Sequence, residues 1–211
     1  MKNTIAFITL GEFDNLGVGY MAAVLKENGF RVKIFDVRDS KKQIINKIHA
    51  CKPLIIGFSI VYHGNFKRFT GLITYIRSNC SDIHFTAGGH YATLNTDELL
   101  TKVPELDSIV RFEGEYSMLE LAQCLESGSD WKYVAGIAYR GTDRIVRNAP
   151  KPLEKDLDKF PYPLRSSLRK FVFEMPCATL IAGRGCLYNC TFCNTRSFFQ
   201  CRKTMNTSGL S

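Results

Sequence analysis

A doubly wound α/β fold around a parallel sheet of five strands is what this 211-residue sequence predicts for its front part. Short β-branched runs alternate five times with amphipathic stretches over the first 126 residues. The middle run, PLIIGFSIV (53–61), is apolar almost throughout, as a strand covered on both faces must be. Capping residues punctuate the series: Ser40 starts one helix, and Gly29 and Gly128 follow the ends of two others.

The elements follow in order. TIAFITL (4–10) is the first strand, and LGVGYMAAVLKENGF (16–30) is a helix with Met21, Val24 and Leu25 turned inward. RVKIFDV (31–37) is the second strand. The helix after Ser40 buries Ile44, Ile45 and Ile48. Beyond the third strand, Phe66, Phe69, Ile73 and Ile76 recur at helical spacing. DIHFTAGG (82–89) is the fourth strand, TDELLTKV (96–103) a short helix, DSIVRF (107–112) the fifth strand and EYSMLELAQCLESG (115–128) the closing helix. Right-handed crossovers place the helices on both faces. In such sheets a ligand sits beyond the carboxyl ends of the strands, which singles out the loops after Leu10, Val61, Phe85 and Phe112.

After residue 130 the texture changes. VAGIAYRGTDRIVRN (134–148) reads as a hairpin turning at Gly141-Thr142-Asp143. KPLEKDLDKFPYPLR (151–165), with three prolines and alternating charge, reads as an extended linker. CATLIAG (177–183) is a further short strand that runs into a cysteine loop. Three regions result: a Rossmann-like sheet over 1–130, a hairpin and linker over 131–170, and the start of another unit over 171–211.

The first strand is too short to cross a membrane, and Glu12 and Asp14 follow it at once, so it makes a poor secretion signal. A cytoplasmic protein with no membrane partner is expected, and its eight cysteines are then thiols or metal ligands rather than a disulfide framework. The formal charge of +8 is uneven: residues 1–146 hold 17 Lys/Arg against 16 Asp/Glu, whereas 147–211 hold 11 against 4. Without a basic run or aromatic-basic motif, this excess speaks for a solvated linker beside an anionic cofactor more than for nucleic acid.

The densest chemical signal is GRGCLYNCTFCN (183–194), which puts Cys186, Cys190 and Cys193 on one loop. Clustered thiolates bind zinc or iron–sulfur clusters. Structural zinc takes four ligands, usually in two pairs, and no second pair follows here. Three cysteines suit a [4Fe–4S] cluster with one iron left open for substrate; unmetallated core thiols are the remaining alternative. Cys177 opens an apolar strand and Cys201 lies in a basic tail, so neither is read as a ligand. Cys51, Cys80 and Cys124 fall far apart on helices or their ends, as small hydrophobes.

Cys186-Leu-Tyr-Asn-Cys190-Thr-Phe192-Cys193 resembles the cysteine signature of the radical S-adenosylmethionine (radical SAM) enzymes, with Phe192 at the aromatic position. The resemblance implies a [4Fe–4S] cluster on the three cysteines. Its open iron would chelate S-adenosylmethionine, which on reduction yields a 5′-deoxyadenosyl radical, and Phe192 would pack near the adenine. Core packing is the other reading of Phe192. An electron donor such as flavodoxin or ferredoxin and a small-molecule substrate are implied with it.

The front sheet, flavodoxin-like in outline, resembles cobalamin-binding domains at its ligand edge. Asp14 and Gly17 follow strand one, Ser59 and Val61 follow strand three, and Gly88-Gly89 follows strand four. Forty-one residues separate Gly17 from Ser59 and 26 separate Val61 from Gly88, close to the family spacing. Small residues there let a flat corrin and its nucleotide tail approach the backbone. Asp14 stands where the family carries the histidine that ligates cobalt, and His63 and His90 lie in other loops, so cobalamin would bind without a histidine lower ligand. Glu113-Gly114-Glu115 is expected at the same edge, opening the last helix, where acidic residues also suit the helix dipole.

Together these features resemble the cobalamin-binding radical SAM proteins up to about Arg202. Such a core is a βα barrel of which only the first strand and cysteine loop are recognisable, so the chain reads as a fragment, inactive by itself. Methyl transfer to an unactivated centre is the favoured chemistry. Oxidative cyclisation, a methylthiotransferase with a second cluster, and a non-catalytic cobalamin module are the alternatives.

Overall fold

The computed structural model describes residues 3–11, 15–165, 170–172, 175–186, 188 and 190–199. The parallel strands are β1 (Thr4–Thr9), β2 (Arg31–Asp36), β3 (Ile55–Ser59), β4 (His84–Gly88) and β5 (Ser108–Val110). They alternate with helices α1 (Leu16–Glu27), α2 (Lys41–Cys51), α3 (Phe66–Arg77), the consecutive α4 (His90–Leu94) and α5 (Thr96–Lys102), and α6 (Glu115–Ser127). The order across the sheet is β2-β1-β3-β4-β5, continued by β6 (Ile137–Arg140) and β7 (Ile145–Arg147). Strand order therefore reverses between β1 and β3, the position at which doubly wound sheets hold their ligands.

Alternation in β1 shows how the two layers are built. Ala6 and Ile8 face a core shared with Ile44 and Ile48 of α2 and Phe69, Ile73 and Ile76 of α3. Ile5 and Phe7 face the opposite core with Val18 and Leu25 of α1 and Met118 and Leu121 of α6. Side chains that point to opposite faces every second residue can serve both cores only if helices cover both faces. Ser40 closes a capping box with Gln43, and Gly128 ends α6 in the left-handed conformation. Gly29, at φ +86°, lies one residue beyond the α1 cap, Asn28.

Three features depart from the sequence reading. The hairpin is part of the sheet, because Ile137 pairs antiparallel with Val110 and Tyr139 with Ser108. The expected five strands are thus the parallel portion of seven. Arg140 of the hairpin also donates to the Leu100 carbonyl at 2.9 Å, tying it to α5. The segment expected as a linker is docked: Leu164 N donates to Gly19 O at 2.9 Å, and Phe160 is buried beside Tyr20 and Tyr116. Proline blocks helix but not packing, so composition alone misjudged the segment.

The strand expected over 177–183 is the third departure. A short hairpin forms from β8 (Lys170–Val172) and β9 (Met175–Cys177), after which the backbone to Gly183 is irregular, with Leu180 82% exposed. A strand needs a neighbour for its N–H and C=O groups, and among the described residues none runs beside it. A last short helix, α7 (Thr195–Phe198), follows the cysteine loop.

Candidate functional site

The carboxyl ends of β1, β3, β4 and β5 open into a cavity of about 590 Å³. Three glycines of the strands and their ends stand in its lining. Gly57 lies over Phe7 of the neighbouring strand, and a Cβ on it would fall 2.8 Å from that ring. Gly88 ends β4, and Gly89, which follows it, holds φ +97° and ψ 177°, a conformation almost confined to glycine. At each of the three a side chain would meet protein: the Phe7 ring at Gly57, the Val110 oxygen at Gly88 and the Ile60 oxygen at Gly89, so glycine is what lets these strand ends pack together beneath the cavity.

Of the residues singled out in the sequence, Gly17, Ser59, Val61, Gly88 and Gly89 all line this cavity. Asp14 lies outside the described residues. His63 sits in a turn after β3, and His90 opens α4 at the cavity wall.

Asn15, which sequence reasoning passed over, organises the loop after β1. Its Oδ1 accepts from Val18 N at 3.1 Å and caps α1, while Nδ2 donates to Thr9 Oγ1 (2.7 Å) and Ser59 Oγ (2.9 Å). One side chain thus joins β1, α1 and β3 across the point of strand reversal. Since Ser59 Oγ accepts from Asn15, its own O–H remains a donor at the cavity. The available signal was position: an Asn directly before an apolar helical run is a cap.

The wall after β5 is strained. Phe112 holds φ +63°, rare for an aromatic residue, while its N–H donates to Thr93 Oγ1 at 3.0 Å. Phe198 of α7 reaches back to the same wall and stacks on His90, with ring centroids 3.8 Å apart and planes 18° from parallel. Burial lowers the His90 pKa, which favours the neutral ring.

A further wall comes from the chain leading into the cysteines. Thr179, Ile181 and Gly183 to Gly185 line the cavity. Arg184 Nη2 donates to Glu115 Oε1 at 2.7 Å, and Nη1 lies 3.4 Å from Glu113 Oε1. Burial alone would lower the pKa of Arg184, but the two carboxylates hold it above its ordinary value. The acidic pair expected at the ligand edge is indeed there, and its partner is this arginine.

Cys186 is half-buried, and Cys190 and Cys193 are exposed; all three are free thiols. Cys193 Sγ lies 3.2 Å from Thr195 Oγ1, and its hydrogen bonding with the Thr195 side chain and backbone lowers its pKa. Among the described residues no three His, Cys, Asp or Glu side chains stand ready-made as a metal cage. Phe192 is 88% exposed and takes no part in a core. Cys51 ends α2, Cys80 follows α3 and Cys124 lies in the last turn of α6, all at the edge of the sheet opposite the cavity. Burial raises the pKa of each.

Comparison with known proteins places this geometry. The B12 binding domain family matches residues 5–122. An uncharacterized methyltransferase of Pyrococcus horikoshii is 28% identical over 187 residues, 85% of this chain and 40% of that protein. An anaerobic magnesium-protoporphyrin IX monomethyl ester cyclase of Rubrivivax gelatinosus is 30% identical over 203 residues, 90% of this chain and 36% of that protein. This chain therefore spans well under half the length of these relatives. Two solved structures share the fold. One is the radical S-adenosylmethionine methyltransferase TsrM of Kitasatospora setae, with cobalamin and a [4Fe–4S] cluster bound (TM-score 0.73, 19% identity, 92% of this chain and 41% of that chain). The other is the cobalamin-dependent S-adenosylmethionine radical enzyme OxsB (TM-score 0.75, 24% identity, 91% and 28%). With the family match running from the first strand to the last helix of the parallel sheet, this chain belongs to the B12 binding domain family.

Proposed function

We propose that this chain forms the cobalamin-binding and cluster-bearing part of a radical SAM enzyme that carries out methyl transfer to an unactivated centre of a small-molecule substrate. The observation that carries the proposal is a shared cavity: the glycines of the B12 binding domain and the segment entering the cysteine trio line one space.

The residues present fit both groups. Gly57, Gly88 and Gly89 line the space for the corrin without side chains of their own, and Ser59 offers a hydroxyl donor oriented by Asn15. Cys186, Cys190 and Cys193 supply three thiolates within eight residues, a donor set that suits iron and sulfide. Thiol ligands commonly gather only as the metal binds, so three separate free thiols are compatible with that role. Phe192, exposed beside Cys193, is available to cover the flat adenine of S-adenosylmethionine. When bound, the cluster and cobalamin would supply one-electron chemistry and a methyl carrier, with electrons from a flavodoxin- or ferredoxin-like donor. The chain itself lines the space and fixes the donors.

Ring closure is the second reading, favoured by the likeness to the magnesium-protoporphyrin cyclases. The position of Cys51, Cys80 and Cys124 away from the cavity weighs against a second cluster there. No described helix is long and apolar enough to cross a membrane.

Anaerobic reconstitution with iron, sulfide and hydroxocobalamin tests the proposal. A corrin band together with about four iron per chain, as one [4Fe–4S] cluster requires, is expected, and replacing the three cysteines by alanine should abolish the iron and leave the corrin. Tetrahedral zinc in place of iron, or iron with no corrin, overturns it.

A further inference from the structure

The chain from 178 to 183 has little to hold it: Leu180 and Ile181 are exposed and the backbone is irregular. Arg184 is the exception. Its side chain is 9% exposed, Glu113 is likewise 9% and Glu115 4%. The guanidinium carbon lies 5.0 Å from the ring centres of both Tyr20 and Phe160, so two carboxylates hold its edge while aromatic faces flank it. The acidic excess is met locally. Glu115 is the first residue of α6, where the helix dipole favours negative charge, and Glu113 Oε2 accepts from Glu154 N at 3.3 Å. Phe198 anchors the far side of the cysteine loop on His90. The two anchors bracket Cys186, Cys190 and Cys193, and both stand on the rim of the glycine-lined cavity.

We infer that Arg184 is a positioning residue: clasped by Glu113 and Glu115, with Phe198 as a second anchor, it holds the cysteine loop at the cavity rim so that occupancy of the cavity and seating of the loop are energetically coupled. Such coupling is reciprocal, and any group that orders the rim therefore steadies the loop. The anchoring itself stands on the geometry; only the choice of cobalamin as occupant rests on the proposed function.

Limited thermolysin proteolysis of the full chain, free of iron, tests it, because cutting requires the exposed segment to lift away from the cavity rim. In Arg184→Met, cleavage at Leu180 and Ile181 should be at least tenfold faster, while amide exchange in β1, β3 and β4 stays unchanged. Arg184→Lys, whose single ammonium cannot fork between two carboxylates, should fall between. Hydroxocobalamin should slow this cleavage several-fold in the unsubstituted chain, and Arg184→Met should lose most of that protection while still showing the corrin band. Unchanged cleavage in Arg184→Met overturns the inference, and so does full cobalamin-dependent protection in that variant. If the strands of Arg184→Met exchange faster, the near-isosteric Glu113→Gln supplies the reading, with about threefold faster cleavage as the supporting result and none as the overturning one. Faster cleavage in Arg184→Met with no corrin binding by either chain supports the anchor and refutes cobalamin as the occupant.

Discussion

Gly89→Ala is the sharpest test of the cavity lining. At φ +97° and ψ 177° an alanine occupies a region that costs about 1–3 kcal/mol for any side chain. Its Cβ would also stand 2.9 Å from the Ile60 carbonyl oxygen, closer than such atoms approach. That oxygen is not free to withdraw: it accepts from Ala92 N at 3.4 Å, and Ile60 N is itself held by Gly88 O at 2.8 Å. Overpacking against backbone adds about 1 kcal/mol or more, so the sum is about 3 kcal/mol. For a chain of this length each kcal/mol lowers Tm by about 2–4 °C, which gives a fall of about 6–12 °C. Gly88→Ala is the internal control, because its Cβ would meet only the Val110 oxygen at 3.3 Å. Thermal melts followed by circular dichroism compare the two. If Gly89→Ala melts no lower than Gly88→Ala, the conformational argument for the lining is wrong.

Asn15→Ala removes a helix cap, which costs about 1 kcal/mol, and frees Ser59 as well; urea titration should show that loss or somewhat more, and no loss would refute the three-way tether. His84 gives a pH signature. Burial pushes its pKa down from 6.5 to about 4, so the folded chain keeps it neutral while the unfolded chain takes up a proton. Stability is therefore lost as pH falls through 6.5 and the loss levels off near 4; at about 1.36 kcal/mol per unit it reaches about 3 kcal/mol. His84→Gln should flatten that part of the stability–pH curve, and parallel curves for the two proteins would refute the assignment.

How much of this was legible in the sequence differs by element. Periodicity located every parallel strand and the long helices, because a sheet covered on both faces leaves an unambiguous apolar run such as Ile55 to Phe58. The short helix α4 was not visible, since it is bounded by the unusual backbone of Gly89 rather than by a capping side chain. The hairpin was recognised but its place was not: nothing in Ile137 to Arg147 states that Val110 will be its partner. Positions around the cavity were legible as a set, through spacing, whereas Asn15 acts through three partners distant in sequence. Glu113 and Glu115 could be placed at the edge but not paired, because Arg184 lies some seventy residues away. Long-range polar pairing leaves no periodic trace in a sequence.

That pairing also explains why a charged contact is found where an apolar one would have held the segment at least as firmly. A buried ion triad contributes little net stability, since the desolvation of three charges offsets most of their attraction. What it supplies is direction. Apolar contacts let a chain slide and rotate at small cost, whereas a guanidinium fork facing two fixed carboxylates accepts essentially one orientation. Here the fork is aimed at the first turn of α6, so the orientation of Arg184 is referred to the edge of the sheet itself. Gly185 follows at φ +95°, turning the backbone sharply before Cys186. The first thiol is thus separated from a rigid reference point by one residue in a left-handed conformation, and the register of the whole loop is set before it begins.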